Sequence, residues 1–183
     1  MEAQRTQIEG LILFRPRIFA DDRGRFLETF SASKFREMTG ADVDFVQDNE
    51  SVSHARVVRG LHFQVAPHAQ GKLVHTPRGA VLDICVDIRK ESPTYGQHYK
   101  VQLDAENKHI LWVPPGFAHG FVALENNTVF AYKCTAYYHQ PSERTILWND
   151  PELGIDWNVV DPLISEKDRN GHRFAANWAM SAE

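Results

Sequence analysis

An all-β fold, a sandwich or barrel of short strands, is what this 183-residue chain predicts, on three observations. Its apolar residues recur with a period of two rather than 3.6. Clusters of turn residues cut the chain at short, regular intervals. Segments with helical spacing and caps are scarce.

The elements follow in order. Residues 10–14 form an apolar run ahead of the turn Asp21-Asp22-Arg23-Gly24. Residues 31–38 read as a helix, with Ser31 or Ser33 as N-cap and Gly40 just past its end. Further strands are expected at 44–47, 60–65, 72–76, 81–88, 98–103, 109–113, 119–124 and 128–138. Between them lie Pro77-Arg78-Gly79, Ser92-Pro93-Thr94-Tyr95-Gly96, Pro114-Pro115-Gly116 and Glu125-Asn126-Asn127. The clearest strand is 81–88, where Leu82, Ile84, Val86 and Ile88 share one face and Asp83, Cys85 and Asp87 the other. Ser165 can cap one more short helical turn, Glu166-Lys167-Asp168. No repeat, low-complexity segment or linker interrupts the pattern, so one domain over residues 1–183 is expected.

Composition narrows the function. Twenty basic residues against 24 acidic ones give a net charge of −4, without the excess that drives binding to a phosphate backbone, so no nucleic-acid partner is expected. Two cysteines, Cys85 and Cys134, in no CxxC arrangement, do not make a disulfide scaffold or a structural zinc site. The first residues hold no apolar signal core, and no run approaches the ~20 apolar residues of a membrane helix. A cytoplasmic protein with no membrane partner is expected.

Chemistry concentrates in a few segments. In Arg59-Gly60-Leu61-His62-Phe63-Gln64, His62 and Gln64 share a face while Leu61 and Phe63 point toward core. A satisfied polar pair on a solvated sheet face is the plain alternative. Lys72 opens the next strand, and a hairpin between the two would set it beside His62, a costly pairing without an anionic partner. Tyr132 lies on a strand face with Cys134, Ala136 and Tyr138, where a tyrosine is either packing or a proton donor. Arg23, Glu28, Gln47, Asn49, Glu143, Lys167 and Asp168 each read, taken alone, as solvated surface.

Pro115-Gly116-Phe117-Ala118-His119 resembles the second motif of the cupin β-barrels, in which a proline–glycine turn delivers a histidine to the barrel interior. The first cupin motif calls for His-x-His and a following glutamate. Here the matching place holds His62-Phe63-Gln64 and then Lys72, poor substitutes for imidazole and carboxylate around a divalent ion. No metal is expected.

Together with Asp22-Arg23-Gly24-Arg25-Phe26, Phe45-Val46-Gln47-Asp48-Asn49, Gln70-Gly71-Lys72, Tyr132-Lys133-Cys134-Thr135, Trp148-Asn149-Asp150-Pro151 and Leu163-Ile164-Ser165-Glu166-Lys167-Asp168, these segments resemble the dTDP-4-dehydrorhamnose 3,5-epimerase family across almost the whole chain. The resemblance implies a cupin-type jelly-roll β-barrel with a few short helices. It implies an isomerase that inverts C3 and C5 of a dTDP-4-keto-6-deoxyhexose through enolates, with no cofactor. It assigns His62 as base, Asp168 as its partner, Tyr132 as acid on the opposite face and Lys72 as the cation at the enolate oxygen. His119, Arg23, Glu28, Gln47, Asn49, Arg59, Glu143 and Lys167 are implied to bind the dTDP-sugar. A homodimer with exchanged N-terminal strands is implied as well. Other readings are a single-carbon epimerase, a metal-dependent cupin enzyme and a non-catalytic sugar-nucleotide binder.

Overall fold

The computed structural model describes residues 1–174, so the expected 1–183 domain runs past them. The elements are β1 (Glu2–Arg5), β2 (Ile12–Arg15), β3 (Ile18–Asp21), β4 (Gly24–Leu27), α1 (Ala32–Thr39), β5 (Gln47–Ser53), β6 (Val57–Gln64), β7 (Lys72–Arg78) and β8 (Ala80–Asp87). There follow β9 (His98–Asp104), β10 (Ile110–Val113), β11 (Phe117–Ala123), β12 (Thr128–Cys134), β13 (Glu143–Thr145), β14 (Leu163–Ile164) and α2 (Glu166–Arg169). One sheet runs β1-β2-β10-β7-β12-β5. The other runs β13-β6-β11-β8-β9, with β14 added in parallel to β6. β3 and β4 pair only with each other. The all-β expectation holds, and the two sheets wrap one interior in the jelly-roll manner.

Three apolar layers result. Leu13, Val74, Leu111 and Phe130 of the first sheet meet Cys85, Leu103, Phe117 and Phe121 of the second inside the barrel. Phe35 of α1 covers the outer face of the first sheet, against Phe14, Leu73, Ile110 and Trp112. The outer face of the second sheet takes Leu153, Trp157 and Phe174 onto Ile84, Val86, Leu61 and Phe63. The apolar stripe of β8 therefore faces outward, beneath the C-terminal segment, and Asp83 and Cys85 face the interior. α1 begins after Ser31 and ends at Gly40 in the left-handed region (φ 71°), as its end signals predict.

Several expectations need correction. The strand expected at 44–47 is Gln47–Ser53, where Gln47, Asn49 and Ser51 line a cavity and Asp48, Glu50 and Val52 face out. A strand polar on both faces carries no apolar alternation. β12 stops at Cys134 rather than 138. The 60–65 and 72–76 strands are not a hairpin, because β6 and β7 belong to different sheets, and Lys72 faces His62 across the interior.

Candidate active site

β6 and β11 are antiparallel neighbours whose register sets His62 opposite His119. Their pairing shifts between His119 and Phe121, where the strands close in. Gly60, at φ +128°, makes this possible: a Cβ there would lie 2.5 Å from Cα of Gly120. The same strand delivers His62 to the barrel interior and leaves Leu61 and Phe63 in the outer core.

Asp168 arrives from 106 residues away. β14 docks in parallel on Val57 and Val58 of β6, and α2 follows at once, with Ser165 Oγ accepting the Asp168 backbone N–H at 3.1 Å. The cap fixes a one-turn helix whose buried carboxylate meets Nε2 of His62 at 2.5 Å. Its second oxygen lies 3.5 Å from the Gly60 N–H. Burial alone would raise the Asp168 pKa, but these bonds and the charge of His62 hold it below the usual value. A carboxylate here keeps one ring nitrogen occupied and leaves Nδ1 as the other.

The opposite wall belongs to the first sheet. β7 and β12 place Lys72 opposite Cys134, and β12 and β5 place Tyr132 opposite Asn49. Burial pushes the Lys72 pKa down, with Cys134, Cys85, Glu143 and Asp83 opposing it. Burial pushes the Tyr132 phenol up, which keeps it a proton donor at neutral pH. His62, Lys72, His119, Tyr132, Asp168, Arg59 and Lys167 line a cavity of about 580 Å³. A second space of about 250 Å³ shares His62, Lys72 and Tyr132 and adds Gln47, Asn49 and Glu143.

The outer contacts are partly committed. Lys167 pairs with Glu143 at 2.6 Å, and Tyr138 donates its hydroxyl to the other Glu143 oxygen at 3.0 Å. Burial raises the Glu143 pKa, yet the bond and charge of Lys167, the Tyr138 hydroxyl and the charge of His62 together outweigh it and the net shift is downward. The Gln47 amide bonds Asn49 and the Tyr138 backbone. Arg59 gives Nε to Ser53 Oγ at 3.1 Å, leaving the end of its guanidinium for an anion. Arg23 and Glu28 are not brought to this cavity. They sit on the β3–β4 hairpin and just after it, Arg23 beside Asp21 at 2.6 Å and Glu28 beside Lys34 at 2.8 Å.

One residue escaped the sequence reading. Asp83, fully buried, receives Nε2 of His119 at 2.8 Å on one oxygen and the Cys85 thiol at 3.7 Å on the other. The signal was present: a charge alternating with aliphatic residues on a central strand must face a partner. Asp83, Cys85 and His119 bring their ligand atoms within 4.8 Å of one another, but His119 and Cys85 already bond the carboxylate and Lys72 is close enough to feel its charge. The arrangement orients His119.

An imidazole–carboxylate pair, a half-buried lysine and a phenol around one jelly-roll cavity define an enzyme class, a proton-transferring isomerase of the cupin type. Comparison with known proteins names the family. Residues 5–176 match the model of the family described as dTDP-4-dehydrorhamnose 3,5-epimerase, and the chain belongs to it. It is 52% identical over 176 residues to the dTDP-4-dehydrorhamnose 3,5-epimerase of Pseudomonas aeruginosa, covering 96% of this chain and 97% of that one. It is 49% identical over 174 residues to the Shigella flexneri enzyme of the same name, covering 95% and 96%. A crystal structure of a dTDP-6-deoxy-D-glucose-3,5-epimerase from Legionella pneumophila, in complex with dTDP-4-keto-L-rhamnose, superposes with a TM-score of 0.93 at 45% identity, covering 96% of this chain and 94% of that one.

Proposed function

We propose that this chain epimerises C3 and C5 of dTDP-4-dehydro-6-deoxy-D-glucose, giving dTDP-4-dehydro-L-rhamnose, with the residues of the cavity in the following roles. Both carbons flank the C4 ketone, so loss of either proton gives an enolate. Inversion needs a base on one face of the ring and an acid on the other. His62, oriented and charge-balanced by Asp168, takes the proton; Tyr132, on the opposed sheet, returns one to the far face. Lys72 stabilises the developing oxyanion from a water-poor site, where such a charge counts most. His119, held by Asp83, positions the sugar near the ketone. The observation that carries this reading is the His62–Asp168 pair facing Lys72 and Tyr132 across one cavity.

Arg59, Lys167, Gln47, Asn49 and Glu143 form the nucleotide side. Arg23 and Glu28 fit the same role from a second subunit. The β3–β4 hairpin lines neither of these cavities and pairs with no other strand, Phe19 and Phe26 are 50% and 70% exposed, and β1 is a fully exposed edge strand. A homodimer exchanging N-terminal strands covers both surfaces. Nucleotide-sugar chemistry in the cytoplasm suits the two free cysteines.

Turnover of dTDP-4-keto-6-deoxyglucose by the wild-type and His62→Ala proteins tests the assignment. A loss of ~10²–10⁴-fold is expected for the variant. Near wild-type turnover removes His62 from the mechanism.

A further inference from the structure

After Thr135, whose N–H still bonds the Gly71 carbonyl at 3.0 Å, the backbone leaves the β12 ladder, and residues 136–139 are gripped by side-chain amides. Gln70 Nε2 donates to the Ala136 carbonyl at 2.8 Å, and Gln47 Oε1 accepts the Tyr138 N–H at 2.9 Å. Gln64 does more. Its Nε2 donates to the carbonyls of His68 at 2.6 Å and Tyr137 at 3.2 Å, and its Oε1 accepts the His139 N–H at 2.8 Å. Both N–H donors and the carbonyl of this buried amide are therefore engaged with backbone. In the His-x-His pattern of metal-binding cupins this position carries the second imidazole; here the amide is turned onto a loop.

That loop carries Tyr138, whose ring lines the smaller space beside His62, Lys72 and Tyr132 and whose hydroxyl meets Glu143. Glu143 is also the cross-strand partner of Gln64, in the β13–β6 pair. Gln64 thus stands two residues from the proposed base on the same strand face and builds the wall next to it.

We propose that Gln64 is a positioning residue for the epimerisation: by clamping the backbone at 137–139 it holds Tyr138 and Glu143 where the sugar nucleotide seats, and so governs substrate binding rather than proton transfer. This inference rests on the epimerase reading above.

The test compares KM, kcat and melting temperature for dTDP-4-keto-6-deoxyglucose in the wild type, Gln64→Met, Tyr138→Ala and the double variant. Methionine preserves the volume and removes all three bonds. Losing this set raises KM about tenfold or more, with kcat within about threefold. In the Tyr138→Ala background, Gln64→Met adds little further, because the clamp acts through Tyr138. Should Gln64→Met not fold, Gln64→Glu, which keeps only the acceptor for His139, takes its place with the same expectation. Unchanged KM, a fall in kcat matching that in kcat/KM, or multiplicative effects in the double variant each overturn the proposal. A wild type inert toward this substrate overturns the epimerase reading itself; an active wild type with unmoved variants overturns only the clamp.

Discussion

Replacing Asp168 with asparagine keeps the size of the side chain and changes the whole logic of the proposed base. In the native site one carboxylate oxygen takes the His62 Nε2–H at 2.5 Å, so Nδ1 keeps a lone pair for substrate. The other oxygen lies 3.5 Å from the Gly60 N–H. An asparagine places its single carbonyl oxygen toward Gly60, because an amide NH2 cannot face a backbone N–H. Its NH2 then points at Nε2 and favours the tautomer with the proton on Nδ1, where the base must be free. Losing a charge-assisted bond alone removes about 1.5–3 kcal/mol, or roughly 10- to 150-fold in rate. Adding the wrong tautomer brings the loss toward the ~10²–10⁴-fold contribution of a positioned base. The Ser165 cap holds the Asp168 backbone and survives the change, so α2 and the melting temperature should move little. The assay is kcat by NMR on product formation, beside thermal melting. An Asp168→Asn enzyme within about threefold of wild type shows that Asp168 does not set the tautomer of His62, and one that is inactive only because it is unfolded shows that Asp168 serves the fold instead.

Other outcomes follow from neighbouring residues. Tyr132→Phe keeps His62 and Lys72, so solvent deuterium still enters the sugar with retention, while inversion falls by ~10²-fold or more; equal loss of both rates contradicts the division of roles. Asp87 is fully buried, and although burial opposes ionisation, bonds from Arg89, Ser92 and Thr94 win and lower its pKa from 3.8 to about 2. A depressed carboxylate stabilises the fold above its unfolded pKa and loses that contribution as pH falls through the folded one. Asp87→Asn therefore costs about 1–2 kcal/mol at pH 7, discounted because Arg89 is partly solvated, and the gap to wild type closes between about pH 4 and 2 in urea melts. Gly60→Ala drives a Cβ into Gly120 and strains a positive φ, so a loss of about 2 kcal/mol or more is expected, with His62 and His119 moved apart. A protein with unaltered melting and turnover contradicts the close approach.

β8 was legible because strict apolar alternation marks it and β10 because it is a short apolar run between turn residues, and so were the ends of α1, because Ser31 precedes it and Gly40 closes it in the left-handed region. β5 was displaced by several residues because its inner face, Gln47, Asn49 and Ser51, is polar for the sake of the cavity. β1, β3 and β4 have no buried face of their own, so no apolar alternation marks them as strands. His62, Lys72 and Tyr132 could be singled out as residue types on strand faces. Nothing local links His62 to Asp168, since their meeting depends on β14 adding to β6 in parallel. The hydrogen bonds of Gln64 were hidden for a similar reason: glutamine is common, and only the folded loop shows what it holds.

In the proposed mechanism one base and one opposing acid invert two carbons beside a ketone. Proton NMR of dTDP-4-keto-6-deoxyglucose, incubated with the chelator-treated protein in D2O, reads it directly. Deuterium entering at both C3 and C5, together with a product of the L-rhamno configuration, is the predicted result. Deuterium at one carbon limits the enzyme to a single inversion, and tight binding with exchange at neither rules out enolate formation in this cavity.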